Sequence, residues 1–188
     1  MQDLFAVWEE LRIQPDASYL HYYRAIAEHF ASVETFDTDS FIVAAHVVYG
    51  WMPGVLQLAV DEPADLQRAA SAMNRSRVEF FTDEDLGHLI RVMNNSLVGV
   101  SKLLHFASPE IFAIWEPNVY RFVVEKKPFH YRMNSTKEFA DYHAKLKGLQ
   151  EDPRFPGFHA SVNHMVGYPV TAVRALELAI FYCSRGSR

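Results

Sequence analysis

Glu116 is the residue whose neighbours give it the clearest capacity for chemistry. It follows Trp115 and precedes Pro117, and proline favours the first position of a helix because its missing N–H needs no partner there. A carboxylate suits a helix N-terminus, and burial beside an indole raises the pKa of a carboxyl group towards neutrality. Such a group can act as an acid or a base. The sequence therefore predicts a candidate catalytic carboxylate at Glu116, with a purely structural residue at a helix start as the alternative.

Basic and aromatic residues alternate downstream of Glu116. Segment 126–134 contains Lys126, Lys127, His130 and Arg132, interleaved with Phe129 and Tyr131. Cations in such a segment can follow a phosphate backbone while the rings stack on bases. A solvated loop anchored by its aromatic side chains is the alternative interpretation.

Metal and cofactor chemistry have little support. Cys183 is the only cysteine, which excludes an internal disulfide and a cysteine-based zinc site. His159 and His164 are five residues apart, so they do not share a helix face as a metal-binding pair would. The acidic run 83–85 suits the first turn of a helix. We therefore expect no metal ion and no cofactor.

The elements around Glu116 follow from apolar spacing. A helical stripe precedes it, with Lys102 and His105 between the apolar positions, which are Leu97, Val100, Leu103, Leu104 and Phe106. Ser108 and Pro109 predict a short turn of helix, and Pro117 opens a further helix. Glu116 is thus expected where a buried helix, a short helical turn and a second helix meet.

The same spacing recurs along the chain, without a convincing strand pair or an internal repeat. The predicted class is therefore all-α, a compact multi-helix domain over residues 1–188. Two helical lobes, 1–93 and 94–184, are an open alternative, and residues 185–188 are expected to form a flexible tail.

Composition restricts the class of protein further. The 188 residues are 49% hydrophobic and 22% charged, without an apolar run long enough for a membrane span. The N-terminus lacks a cationic signal-peptide region, so a cytoplasmic protein without a membrane partner is expected. Residues 1–65 hold 11 acidic and 2 basic residues, whereas residues 66–188 hold 16 basic and 12 acidic ones. Charge alone neither requires nor excludes a polyanionic partner.

The segment Phe112-Ala-Ile-Trp-Glu-Pro-Asn-Val-Tyr-Arg121 resembles the one that follows the hairpin in helix-hairpin-helix DNA glycosylases, the adenine-mismatch branch above all. There an apolar run leads to Asp-x-Asn-Val-x-Arg, and the Asp assists departure of the base and stabilises the cationic sugar. The resemblance implies that Glu116 is the catalytic carboxylate and that Asn118 and Arg121 lie near the DNA backbone. It also implies a helix-hairpin-helix glycosylase-like fold.

Residues 97–101, Leu-Val-Gly-Val-Ser, are similar to the family hairpin Leu-Pro-Gly-Val-Gly, which presents backbone N–H groups to a phosphate. Gly99 matches, while Val98 and Ser101 depart from the pattern. Leu103 occupies the position where bifunctional members keep a nucleophilic lysine, and Lys102 is one position earlier, so a lyase step is not implied. The chain also resembles uncharacterised bacterial proteins that carry Ser-Lys-Leu-Leu-His-Phe ahead of a Trp-Asp or Trp-Glu motif.

Three functions remain open. The first is a divergent glycosylase-like protein that binds DNA or RNA, with or without base excision; as an enzyme it would be a hydrolase. The second is a non-enzymatic helical module that binds a protein partner or forms a homo-oligomer. The third is a small-molecule enzyme or sensor with a pocket at Glu116. The expected nucleic-acid-binding residues are Gly99, Ser101, Lys102, Asn118, Arg121, Lys126, Lys127, His130 and Arg132, and the expected pocket residues are Trp51, Trp115 and Tyr120.

Overall fold

The computed structural model describes residues 3–10, 18–52 and 54–186. These residues form eleven helices: α1 (Leu4–Glu10), α2 (Ser18–Ser32), α3 (Thr38–Trp51), α4 (Pro63–Ser76), α5 (Glu84–Val92), α6 (Leu97–Ala107), α7 (Pro117–Val124), α8 (His130–Met133), α9 (Thr136–Gln150), α10 (Phe155–Val166) and α11 (Ala172–Gly186). The one β-type pairing in this part of the chain is an isolated antiparallel bridge between Leu58 and Met93. The all-α prediction is therefore confirmed.

The helices form two packing groups. Helices α2 to α6 pack on one another, whereas α1, α7, α9 and α10 pack against α11. A single cluster of buried apolar side chains includes members of both groups. These two groups do not coincide with the lobes 1–93 and 94–184, because α1 packs on α11 while α6 packs on the helices before it. Of the predicted tail, Arg185 and Gly186 belong to α11, and residues 187–188 lie outside the described part.

The middle of helix α11 is buried on every side. Every residue from 173 to 180 is buried, including Arg174 and Glu177. A helix that is covered on all sides places any charged residue of its sequence in the interior. The two charges on α11 are thus buried by the position of the helix.

Side-chain caps define several helix starts. Asp37 caps α3, Ser96 caps α6, Glu116 caps α7 and Ser135 caps α9, each accepting a backbone N–H from the first turn. Each helix in the described residues lacks the combined length and apolarity that a membrane crossing requires.

Two local predictions are confirmed only in part. Ser108 ends α6, and its carbonyl accepts the N–H groups of both Ile111 and Phe112, which closes the single turn predicted at Pro109 without a helix beyond it. Segment 126–134 is not entirely a loop, because residues 130–133 form α8. The side chain of Met133 anchors this short helix in the core.

A tight turn connects α5 to α6. Asn94 and Asn95 have φ angles of 57° and 50°, in the left-handed region that asparagine tolerates better than most residues. The Asn134 side chain holds the turn, accepting the Leu97 N–H and donating to the Asn95 carbonyl. The hairpin-like residues 97–101 therefore lie within α6, after the turn and not in it.

Close packing at Gly99 gives a test of this arrangement. A Cβ at position 99 would lie 2.9 Å from Cζ of the buried Tyr49 ring and closer still to its hydroxyl oxygen. We expect Gly99→Ala to lower the free energy of unfolding by about 1–3 kcal/mol through overpacking. The matched variant Gly87→Ala, at an exposed helical position with open space around it, should raise it by about 0.4–1 kcal/mol. Urea denaturation measures both, and equal effects of the two variants would contradict the packing at Gly99.

Candidate functional site

A cavity of about 230 Å³ lies between the two packing groups. Its walls come from the end of α3, from α6, from the segment before α7 and from α11. Four of its lining side chains are charged, namely Lys102, Glu116, Arg174 and Glu177. The others are largely apolar: Trp51, Met52, Ile114, Leu178 and Phe181. The cavity therefore combines a hydrophobic wall with two cations and two carboxylates.

Glu116 is fixed at the N-terminus of α7. Its Oε1 accepts the backbone N–H groups of Asn118 and Val119, both at 2.9 Å, and its Oε2 lies 3.3 Å from Nδ2 of Asn118. Burial raises the pKa of the Glu116 carboxyl, while the Val119 N–H, the Lys102 ammonium and the Asn118 N–H oppose the rise. Glu116 thus caps the helix, as the structural interpretation expects, and also faces the cavity.

The position of Glu116 depends on an extended segment, residues 112–115. The Ser101 hydroxyl oxygen accepts the Trp115 N–H at 2.9 Å. One turn further along α6, His105 Nδ1 lies 2.7 Å from the Phe112 carbonyl oxygen and donates to it. On the other side, His143 Nε2 accepts the Ala113 N–H at 2.9 Å. Side chains satisfy the buried backbone here, as strand neighbours would in a sheet.

The two histidines hold this segment as neutral rings. Burial lowers the pKa of His105 to about 3 and that of His143 to about 4. The Tyr23 hydroxyl lies 2.7 Å from His105 Nε2 and donates to it, since Nδ1 carries the proton given to Phe112. Both rings therefore act as hydrogen-bonding links and not as charges.

Lys102 follows Ser101 on α6 and faces the same cavity as Glu116. Its Nζ lies 5.7 Å from the centre of the Trp51 ring, within the range of a cation–π contact. Burial lowers the pKa of the Lys102 ammonium, and the carboxylates of Glu116 and Glu177 oppose this change. Leu103, the next residue, is fully buried in the core. Of these two neighbours, only Lys102 presents its side chain to the cavity.

Sequence reasoning missed Arg174 and Glu177. They are three residues apart on α11, each is 2% exposed, and Arg174 Nη1 donates to Oε2 of Glu177. Burial raises the pKa of Glu177 to about 7, against the opposing effect of Arg174. The signal in the sequence was a basic and an acidic residue three positions apart in an otherwise apolar helix.

The three predicted pocket aromatics lie in different places. Trp51 lines the cavity, whereas Trp115 and Tyr120 are fully buried in the core and pack edge to face. The Trp115 indole N–H donates to the Met133 carbonyl at 3.0 Å. Trp115 therefore anchors the segment that carries Glu116 and does not form the pocket wall.

Some of the predicted nucleic-acid-binding residues are buried and others are exposed. Gly99 and Ser101 are buried, and the Gly99 N–H donates to the Ser96 hydroxyl, so the interior arrangement leaves neither residue on the surface. Arg121 is exposed and donates to the half-buried Asn118, which contacts Glu116. Gly99 and Ser101, in the hairpin-like segment, therefore offer no exposed contact to a nucleic acid.

Residues 126–132 form an exposed surface that we call the basic–aromatic patch, made of Lys126, Lys127, Phe129, His130, Tyr131 and Arg132. Phe129 and Tyr131 are 49% and 69% exposed, and their rings are nearly parallel with centres 6.0 Å apart. The Arg132 guanidinium lies over both rings. The two rings therefore do not anchor this segment in the core, contrary to the alternative interpretation.

A larger groove, about 490 Å³, lies between α4 and α5. Several of its charges are paired: Arg91 bonds to Asp65, whose carboxylate also accepts backbone N–H groups at the start of α4, and Arg68 pairs with Glu84. His88 Nε2 lies 2.8 Å from the Asp65 carbonyl oxygen. These contacts explain the charged cluster as helix packing.

Within the described residues, no group of three or more His, Cys, Asp or Glu side chains is placed to hold a metal ion. Comparisons with models of known protein families, with curated proteins and with solved structures found no match. The chemistry of the cavity is therefore the basis for a functional assignment.

The Ser101 contact can be tested by a matched pair of Ser→Ala variants. Ser101→Ala leaves the buried Trp115 N–H without its acceptor, so we expect a loss of about 1–3 kcal/mol in the free energy of unfolding. Ser71→Ala removes only an exposed bond to the Gln67 carbonyl within α4 and should change stability by less than about 0.5 kcal/mol. Chemical denaturation of both variants measures the difference. A Ser101→Ala variant as stable as wild type would show that this contact does not hold the segment.

The proximity of Lys102 and Glu116 gives a second test. Because the Glu116 carboxylate stabilises the Lys102 ammonium, Glu116→Gln should move the pKa of Lys102 further below its ordinary value. Reductive ¹³C-methylation followed by an NMR pH titration measures that pKa in wild type and variant. An unchanged Lys102 titration in the variant would show that the two groups do not interact.

Proposed function

We propose that this protein binds nucleic acid and takes one extruded base into the cavity, in the manner of a helix-hairpin-helix DNA glycosylase. One observation carries the proposal: Lys102, Glu116 and Trp51, which belong to three different segments of the chain, line the same cavity. An enzyme that acts on a base must remove it from the stack and hold it between apolar or aromatic side chains. Trp51 supplies a ring, and Lys102 and Glu116 supply charges of opposite sign beside it.

Glu116 is the group that would assist bond cleavage. As the bond between base and sugar breaks, positive charge develops on the sugar, and a fixed carboxylate in a water-poor site stabilises that charge. The bonds to Asn118 and Val119 already hold Glu116 in one orientation. The carboxylate of a glutamate lies one methylene further from the backbone than that of an aspartate. In Glu116 the two backbone N–H groups hold the carboxylate at this distance.

Lys102 is the group that would assist departure of the base. An ammonium beside the ring can donate a proton or a hydrogen bond to a base nitrogen as that nitrogen gains electron density. Burial lowers the pKa of Lys102, which makes proton donation easier. A neutral Lys102 would instead be a nucleophile, and trapping with borohydride distinguishes this lyase route from hydrolysis.

The basic–aromatic patch would hold the backbone of the same strand. Helix α7 joins the two places, since Glu116 caps its start and the patch follows its end. The helix has 8 residues and is about 12 Å long, a distance that a few nucleotides cover. Arg121, exposed on α7, lies along this path.

A small-molecule enzyme or sensor is the second candidate. It is favoured by the burial of Gly99 and Ser101, which removes the backbone contact to phosphate that a hairpin would make. A cavity with shifted pKa values is also typical of a small-molecule site. Salt-dependent binding of nucleic acid separates the two candidates.

We expect fluorescence anisotropy with labelled single-stranded, duplex and mismatch-containing DNA to show binding that weakens steeply with salt. Replacing Lys126, Lys127 and Arg132 by alanine should reduce affinity and lower the salt slope by about one for each phosphate left without its cation. Lys137→Ala, which removes an exposed lysine paired with Asp141, is the matched control and should change neither. Absence of binding at about 50 mM salt would exclude the proposal.

An excision assay on the DNA that binds best tests the role of Glu116. In the same experiment Glu116→Gln should still bind DNA, while its excision rate falls by about 100-fold or more. Equal excision rates in wild type and variant would remove Glu116 from the mechanism without affecting the evidence for binding.

A further inference from the structure

Arg174 and Glu177 lie on the α11 side of the cavity and take no part in the steps assigned to Lys102 and Glu116. Both side chains are almost completely buried, yet both line the cavity. Arg174 Nη1 donates to Glu177, and its guanidinium lies 4.2 Å from the centre of the Tyr23 ring. The pair is therefore held rigidly on one wall, with a donor and an acceptor side by side.

The pair is not fully satisfied. Arg174 Nη2 is buried without a hydrogen-bond partner in the described residues, and the same is true of Trp51 Nε1. Leaving a buried donor unpaired is costly, more so for a charged group. Both atoms are closed to solvent, so only a ligand whose strong acceptor reaches them from the cavity, which Arg174 and Trp51 both line, would satisfy donors that the protein leaves unpaired.

While Glu177 is ionised beside Arg174, the charges around the cavity cancel. Lys102 and Arg174 are cations, and Glu116 and Glu177 are the two carboxylates that line the same space. An anionic ligand would gain two cations but meet two carboxylates, and a cationic ligand would meet the reverse. An uncharged ligand avoids both repulsions, so the cavity favours a neutral molecule over a phosphate or a carboxylate.

The ligand's polar edge follows from these donors and acceptors. A carbonyl oxygen has two lone pairs and can accept from both Arg174 and Trp51, whereas a ring nitrogen has one. The Glu177 carboxylate beside Arg174 can accept an N–H from the atom next to that carbonyl. Together they complement a lactam, a carbonyl directly bonded to an N–H group.

We propose that Arg174 and Glu177 recognise the base, and that the base they select carries a lactam edge in an uncharged ring, as hypoxanthine does. That the ring is a nucleobase rests on the proposed function. That Arg174 and Glu177 bind a lactam edge rests on the cavity alone. Adenine, which has an amino group in place of that carbonyl, presents a donor where hypoxanthine presents an acceptor. Selection of the lactam would thus separate this protein from adenine excision, which the central segment resembles.

Hypoxanthine and adenine form a matched ligand pair because they differ only at this edge. We expect calorimetric titration of the free bases, or saturation-transfer NMR at millimolar concentrations, to show hypoxanthine binding at least about tenfold more tightly than adenine. Equal or tighter binding of adenine overturns the proposal, as does the absence of hypoxanthine binding. Competition by inorganic phosphate overturns the inference of a neutral ligand.

The double variant Arg174→Met/Glu177→Leu tests the pair itself. Replacing a buried ion pair by apolar residues of similar size is often neutral or stabilising, so this variant is expected to fold. It should lose the preference for hypoxanthine over adenine while its melting temperature stays near that of wild type. Retention of the preference in the folded variant would show that the pair is only structural.

Two further arms complete the test. Glu177→Gln keeps a side-chain oxygen for Arg174 but leaves the buried guanidinium without its neutralising charge, so its melting temperature should fall well below that of wild type. Measured below the melting temperature of this variant, hypoxanthine binding should be weaker than in wild type. Lys137→Met/Asp141→Leu changes an exposed ion pair in the same way and should leave binding unchanged. Because free bases are used, a failure here is distinguishable from a failure to bind DNA.

Discussion

Two hydrogen-bonding side chains on α6 fix the geometry on which the site depends. Ser101 and His105 are one helical turn apart, and they bond to the backbone at Trp115 and Phe112. Lys102 follows the first of these residues and Glu116 follows Trp115, so the same contact that pairs Ser101 with Trp115 brings the two charges to one cavity. A small change in the register of the extended segment would move Glu116 away from Lys102. Buried backbone needs partners, and here side chains provide them.

Burial of α11 imposes the second constraint. Removing a guanidinium and a carboxylate from water costs several kcal/mol per ion, and their mutual attraction offsets this only with good geometry and further hydrogen bonds. Arg174 and Glu177 bond to each other, and Arg174 lies on the Tyr23 ring, but the open donor on Arg174 leaves the compensation incomplete. A bound water or ligand in the cavity can satisfy such a donor.

The basic–aromatic patch and the cavity differ in charge and in exposure to solvent. The basic–aromatic patch has exposed rings and cations, while the cavity has charges that cancel. Under the proposals above, the patch would take a polyanion and the cavity an uncharged ring. Helix α7 connects the two places, since Glu116 caps its start and the patch follows its end.

The helices, their caps and the candidate carboxylate could be predicted from the amino-acid sequence. Apolar spacing and residues such as Ser96, Glu116 and Ser135 encode these features locally, so neighbouring residues suffice to predict them. Which side chains share the cavity depends instead on the packing of distant helices. Trp51 and Trp115 are equally plausible as pocket aromatics in the sequence, yet the first lines the cavity and the second is buried in the core. The charged pair in the apolar sequence of α11 marks Arg174 as unusual, but its burial is seen only when residues 173–180 are covered on every side, because burial depends on long-range packing that local spacing does not record.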